Sequence, residues 1–212
     1  MRLIGLDAAL ARASAALWED GSVRAEAWQD GARGQPAALP ALADSVLQRC
    51  AGAPDAVAVT VGPGGFTGLR AAIALGRGLA DGWGVPLIGV TTGEALGAAL
   101  PAGQAAGRAW WSVTTAGRGG LVLERQGTGP VLLDEASLPA PTGPVVLVGD
   151  AAAPAAARLR ARGADVLLSD ARLPMAGAVA ALGAAMLAAG TPPREAAPLY
   201  AEPLALRDPS GA

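Results

Sequence analysis

The sequence predicts an α/β protein of two lobes, the second reduced. Three observations carry that prediction. Three strands open the chain and are followed by alternating helices and strands. A strand at 56–61 runs straight into a glycine-rich turn and a helix. Residues 101–107 are small and aperiodic, and the order of elements changes after them. A length of 212 residues suits one large domain or two small lobes. With 52% apolar and 16% charged residues, the chain can bury a core. Aromatic residues make up only 3%, so that core rests on Leu, Val, Ala and close backbone contacts.

Leu3 to Ala8 is an apolar run ending on an acid, which reads as a buried strand. Ser14–Trp18 and Val23–Trp28 flank Glu19-Asp20-Gly21-Ser22, a hairpin signal. Gln29 to Gln35 is polar and glycine-containing and reads as a loop. Pro40 suits the first turn of a helix, and Leu39, Leu42, Ala43, Val46 and Cys50 follow at helical spacing. Gly52 and Pro54 end that helix. Ala56–Val61 is a strand, a helix runs on to about Asp81, and Val85–Val90 is a further strand. Thr91 or Thr92 caps a short helix through Leu96. In the second half, 109–114, 121–125, 131–133, 145–148 and 166–168 read as strands. Ala152–Arg162 and Met175–Ala188 read as helices, and Pro192, Pro193, Pro198 and Pro203 keep the tail extended. The lobes are expected at 1–103 and 104–190, with the tail 191–212 packing back on the first lobe.

The absent residues narrow the function. There is no His, which removes Ser–His, Cys–His and His–metal mechanisms. Every one of the 16 basic residues is Arg, so the phosphate-loop lysine and Schiff-base chemistry are missing as well. One Cys forms no internal disulfide, which fits a reducing compartment, and Cys50 reads as a small core residue. A pI near 5.1 suits neither a lone nucleic-acid binder nor a polybasic membrane surface. No apolar run is long enough to span a bilayer, and Asp7 interrupts what would be a signal core, so the cytoplasm is expected.

Gly62-Pro63-Gly64-Gly65-Phe66-Thr67-Gly68-Leu69-Arg70 is the most unusual stretch. Glycines between a strand and a helix let backbone N–H groups converge as in an anion nest. The spacing nevertheless fails both phosphate-loop patterns, for want of a Lys and of Gly at Thr67. A tight turn with Thr67 capping the helix describes the loop equally well. In the helix that follows, Leu69, Ala72, Ile73, Gly76, Leu79 and Ala80 share one face, while Ala71, Ala74, Leu75, Gly78 and Gly82 share the adjoining one. A helix apolar nearly all round is buried on more than one side. Gly76 and Gly78 each cost about 1 kcal/mol against Ala, which close approach of another helix would offset. That second partner is either the Pro40–Cys50 helix or another chain. Asp7, at the end of the first strand, is placed either to face a metal–phosphate group or to cap a turn.

The glycine turn, Gly78-Leu79-Ala80 and Pro86-Leu87-Ile88-Gly89-Val90-Thr91-Thr92 together resemble the TsaB (YeaZ) family. Leu3-Ile4-Gly5-Leu6-Asp7, Ala15-Ala16-Leu17-Trp18 and Asp20-Gly21 are similar to that family's opening strands, and Pro198-Leu199-Tyr200 to its C-terminal signature. Gly65 stands where the family usually has Ser, Thr115-Ala116-Gly117 where it has Asp-Ala-Arg, and Tyr200-Ala201-Glu202 where it has Tyr-Leu-Arg. The resemblance implies an actin-like (ASKHA, ribonuclease H-like) fold. It implies a non-catalytic subunit of the bacterial machine that makes threonylcarbamoyladenosine beside the tRNA anticodon. Such a subunit pairs with the TsaD transferase, docks the TsaE ATPase, forms a homodimer when alone, and meets tRNA only through the complex. It has no metal or cofactor of its own, although the complex uses ATP and Mg.

The implied partner interface comprises Leu39, Leu42, Val46, Gly64, Phe66, Thr67, Arg70, Ala71, Ala74, Leu75 and Gly78, with Asp7 as a vestigial nucleotide contact. Two other functions compete. An ATP-dependent small-molecule kinase of the same superfamily would use Asp7 to hold Mg²⁺. A peptidase would need an activated nucleophile, which a chain without His or Lys does not supply.

Overall fold

The computed structural model describes residues 1–31, 35–101, 103–116 and 119–203. Strands β1 (Arg2–Asp7), β2 (Arg12–Glu19) and β3 (Ser22–Asp30) form an antiparallel meander. Helix α1 (Gln35–Leu47), β4 (Ala56–Gly62), α2 (Phe66–Trp83), β5 (Leu87–Thr91) and α3 (Thr92–Ala98) follow. The five strands make one sheet in the order β3-β2-β1-β4-β5, with β4 parallel to both β1 and β5. Strands β1 and β4 are covered on both faces, which is why they read as continuous apolar runs.

The two-residue period of these strands sorts their side chains between two cores. Ile4, Leu6, Val57, Val59 and Val61 face α1 and α2, where they meet Leu39, Ala43, Val46, Ala72, Ile73 and Ala80. Leu3, Ala56, Ala58, Ile88 and Val90 point the other way. Helix α5 (Ala176–Ala188) lies there, through Val179, Ala180 and Ala184.

A second sheet, in the order β10-β9-β6-β7-β8-β11, joins β6 (Ala109–Thr115), β7 (Gly120–Arg125), β8 (Val131–Asp134), β9 (Val145–Val148), β10 (Val166–Leu168) and β11 (Glu202–Pro203). Its core sets Trp111, Val113, Leu123 and Leu147 against Ala152, Ala155, Ala156 and Leu159 of α4 (Ala152–Ala161).

Three expectations are corrected. The helix 175–188 does not belong to the second lobe. As α5 it crosses back onto the first sheet, where its N-terminal amides find acceptors: Ala176 N–H donates to Ser14 Oγ at 3.0 Å and Gly177 N–H to Glu26 Oε1 at 2.7 Å. Gly183 lets it approach closely, because a Cβ there would lie 2.8 Å from Ala58 Cβ. Pro40 is not in the first turn of α1 but inside the helix. Its ring faces solvent, and packing of Leu39, Ala43 and Val46 holds the helix despite the lost N–H. Gln29 and Asp30 belong to β3, where Arg12 pairs with Asp30 at 2.5 Å; residues 32–34 of the expected loop lie outside the described residues.

In the tail, Gly89 N–H donates to Arg194 O at 2.9 Å, Leu199 N–H donates to Val61 O at 2.7 Å, and Ala196 enters the core beneath α2. Residues 204–212 lie outside the described residues.

Candidate functional site: the glycine turn and the outer face of the second helix

The glycine turn is shaped by the chain's own backbone. A Cβ on Gly64 would overlap the Ala9 carbonyl oxygen, and one on Gly68 would overlap that of Ala8. Gly65 N–H donates to Ala9 O at 2.7 Å. The β1–β2 turn therefore packs directly against the glycine turn and takes one of its amides. Gly62 sits at φ +116°, a conformation that favours glycine, beside Leu199 of the tail. Thr67 does not cap α2, contrary to the capping reading. Gly65 holds the cap position and no side chain bonds there.

Asp7 is fully buried. Its Oδ1 accepts from Thr60 Oγ1 at 2.6 Å and from Ala9 N–H at 3.2 Å, while Oδ2 has no partner among the described residues. Burial pushes its carboxyl up to about 6, against the two hydrogen bonds that favour the anion. A magnesium–phosphate group would need this carboxylate at a surface and the glycine-turn amides free. Asp7 is buried and the Gly65 amide is already given to Ala9 O, so the residues here do not fit a nucleotide. Among the described residues no three His, Cys, Asp or Glu side chains come together as a metal site. Cys50 Sγ donates to Gly52 O at 3.1 Å, and burial raises its thiol, which is the reverse of activation.

The outer face of α2 is open. Phe66 is 55% exposed, and Thr67, Arg70, Ala74 and Gly78 are exposed in line with it. Ala71 and Leu75 are half-buried along its edge. Among the described residues a Cβ on Gly78 would meet nothing within 4 Å, so no packing among them requires glycine there. Gly76 differs: a Cβ there would lie 3.2 Å from Leu87 and 3.6 Å from Leu6, so the sheet accounts for it.

The guanidinium of Arg70 lies 3.8 Å above the Phe66 ring, and Tyr200 stacks on that ring at 6.5 Å and 24°. The tail thus borders this face without covering it. Two expected interface residues are corrected: Leu39 and Val46 are each 1% exposed and hold α1 to the sheet, presenting no surface. Leu42 is half-buried and Gly64 is exposed at the turn. The small exposed residues of α2 are brought together; those of α1 largely are not.

Sequence reasoning missed a buried polar junction between the two sheets. Glu124 of β7 accepts from the Thr91 hydroxyl and, at 3.0 Å, from Gly93 N–H at the start of α3. Thr91 and Glu94 form a capping box, and Arg194 of the tail pairs with Glu94 at 2.6 Å. Burial pushes the Glu124 carboxyl up to about 7, with the Glu94 charge adding to the rise. Burial would raise Glu94 too, but its bonds to Arg194 and Thr91 hold it below the usual range. Thr91-Thr92-Gly93-Glu94 carried a visible cap signal; nothing in the sequence linked it to Glu124 or Arg194.

Residues 33–126 match the family model described as TsaD, tRNA N6-adenosine threonylcarbamoyltransferase. The tRNA threonylcarbamoyladenosine biosynthesis protein TsaB of Escherichia coli strain K12 is 37% identical over 94 residues, covering 43% of this chain and 41% of that protein. YeaZ from Pseudomonas aeruginosa superposes with a TM-score of 0.76 at 22% identity, over 94% of this chain and 99% of that one. Over these stretches the chain is similar to TsaB and YeaZ proteins, in sequence over 94 residues and in fold across nearly its whole length.

The matched sequence spans less than half the length of the Escherichia coli TsaB. The fold is nevertheless shared over almost the whole chain, and it is actin-like. The ethanolamine utilization protein EutJ of Carboxydothermus hydrogenoformans shows that fold too, at a TM-score of 0.55 and 13% identity over 86% of this chain and 90% of that one. The stretch that matches the TsaD model holds α1, the glycine turn and α2, and the whole TsaB/YeaZ-like chain contains no His.

Proposed function

We propose that this chain is a non-catalytic subunit of the complex that installs threonylcarbamoyl on adenosine in tRNA. It pairs with a TsaD-like transferase through the outer face of α2. The carrying observation is the exposed row Phe66, Thr67, Arg70, Ala74 and Gly78. Exposed glycine in a helix costs about 1 kcal/mol, and nothing among the described residues offsets it at Gly78. A partner helix laid against small residues would. The aromatic–guanidinium cluster at the N-terminal end of that row supplies the kind of anchor on which interfaces depend.

The name of the Escherichia coli relative places that protein in threonylcarbamoyladenosine biosynthesis, and the likeness over 94 residues supports the same role for this chain. A TsaE-like ATPase docks on the pair, tRNA is met only through the complex, and the chain alone forms a homodimer through the same face. The complex works in the cytoplasm; among the described residues no helix is long and apolar enough to cross a membrane. The burial of Asp7 speaks against a kinase reading, and the absence of His and Lys against a peptidase reading.

The test is reconstitution. The chain should co-purify with a tagged TsaD-like subunit and transfer no threonylcarbamoyl group to tRNA without it. Turnover by the isolated chain, or failure to associate, would refute the assignment.

A further inference from the structure

The chain passes between its two sheets from α3 to β6, from β10 to α5, and through the tail into β11. Polar links between them are scarce. Among the described residues, the only hydrogen bonds that join the second sheet or α4 to strands β1–β5 and helices α1, α2, α3 and α5 are the two that Glu124 accepts. Their donors are the Thr91 hydroxyl, at the end of β5, and Gly93 N–H, in the first turn of α3.

The junction is dry and close. Glu124 is 2% exposed. A Cβ on Gly93 would overlap its carboxylate, and a Cβ on Gly97, one turn further along α3, would lie 2.7 Å from the Trp110 ring of β6. These two glycines let α3 rest on the second sheet, with Glu124 as the polar contact and Trp110 as the apolar one.

Two carboxylates share one cation here. Glu94 of α3 and Arg194 of the tail are the charged groups that act on Glu124. The residues set against it from β5 and β6, Thr91 and Ser112, are neutral. Arg194 gives Nη1 to Glu94 Oε2 at 2.6 Å and Nη2 to Glu94 Oε1 at 2.8 Å, so its guanidinium is spent on Glu94. An ionised Glu124 would be a second negative charge, shielded from water and repelled by the first. Burial is the larger of these two effects, and it outweighs the bonds from Thr91 and Gly93 that favour the anion.

We propose that Glu124 is a proton-controlled latch between the two sheets. Neutral, it holds β7 against β5 and α3. Ionised, it relieves its charge by reaching water, which requires α3 and the second sheet to part. The movement is local, because the core that α1 and α2 share with β1 and β4 lies on the other face of the first sheet and keeps its contacts. The latch stands apart from the partner face of α2 and does not depend on that reading.

The test is residue-resolved amide exchange of the full chain by NMR at pH 6 and pH 8, each rate divided by the intrinsic rate at that pH. Gly93 N–H is the direct reporter, since its acceptor is Glu124 Oε2. An opening that returns Glu124 from about 7 to its ordinary 4.5 becomes about tenfold more frequent over that range. Exchange at Gly93 should therefore rise about tenfold in the parent and stay level in E124Q. Low urea should leave it almost unchanged, because little surface is exposed, while the slowest amides of α2 accelerate steeply. A Gly93 amide with the same urea dependence as α2 opens only by global unfolding and would overturn the proposal. So would a parent without a pH response, or an equal response in E124Q. Should E124Q fail to fold by circular dichroism, the pH response and urea dependence of the parent decide.

Discussion

A leucine side chain at position 78 would project from the exposed side of α2, where a Cβ meets nothing within 4 Å. The substitution G78L therefore acts in opposite directions on folding and on assembly. Within the chain it replaces a glycine in a helix interior by a good helix former without overlap, so the unfolding free energy should rise by about 0.7–1 kcal/mol. Against a partner helix seated on the small residues, the added isobutyl group overpacks the contact by about 1–3 kcal/mol, a five- to hundredfold rise in Kd. Urea unfolding of the isolated chain, at a dilution where it sediments as a monomer, gives the first quantity. Sedimentation of the chain alone and with a TsaD-like subunit gives the second. A more stable chain that associates less well is the expected pair of results. Unchanged association would refute the placement of the interface, and a destabilised chain would refute the statement that Gly78 faces open space.

Other substitutions probe the remaining assignments. Val46→Ala and L39A should each destabilise the chain, the latter by about 2–5 kcal/mol in thermal or urea unfolding, because both side chains fill the core under α1. Where the variants remain folded, their association with a TsaD-like subunit should be unaltered. Gly68→Ala should lower stability by about 1–3 kcal/mol or more, since the new methyl overlaps the Ala8 carbonyl; an unchanged unfolding midpoint would contradict the close contact.

The pH dependence follows from Glu124, whose carboxyl rises from 4.5 to about 7 on folding. Between those values the folded chain holds a proton that the unfolded chain has released. This contribution to stability is thus fully present below 4.5 and is lost as pH rises through about 7. Glu124→Gln should gain on the parent by up to about 3 kcal/mol between pH 5 and 8, measured by urea unfolding at each pH. Parallel curves for the two proteins would contradict it.

The first lobe was legible because its signals are local. Asp20-Gly21 marks a hairpin, β1 and β4 are continuous apolar runs, and Gly84 closes α2 in the left-handed conformation. The inner face of α2 followed from spacing, and Leu69, Ala72, Ile73, Gly76 and Ala80 are indeed buried.

What stayed hidden depends on contacts between distant residues. Helix α5 is apolar on every side, so its period names no sheet; the acceptors Ser14 and Glu26, far away in sequence, select the first one. Leu39 and Val46 fit the spacing of a surface stripe as well as that of a core stripe, and only the sheet beneath them decides between the two. The Glu124–Thr91 contact joins residues on different sheets and leaves no periodic trace. Thr67 had the right chemistry for a cap, but the cap position falls two residues earlier, at Gly65, where the Ala9 carbonyl takes the free amide.

Hydrogen–deuterium exchange along Phe66–Trp83, in the chain alone at a dilution where it sediments as a monomer and mixed with a TsaD-like subunit, tests the assembly role most directly. Slower exchange in this helix and in the Tyr200 segment, with the second sheet unaffected, is the predicted pattern. Protection confined to the second sheet, with α2 exchanging as it does in the free chain, would contradict the account.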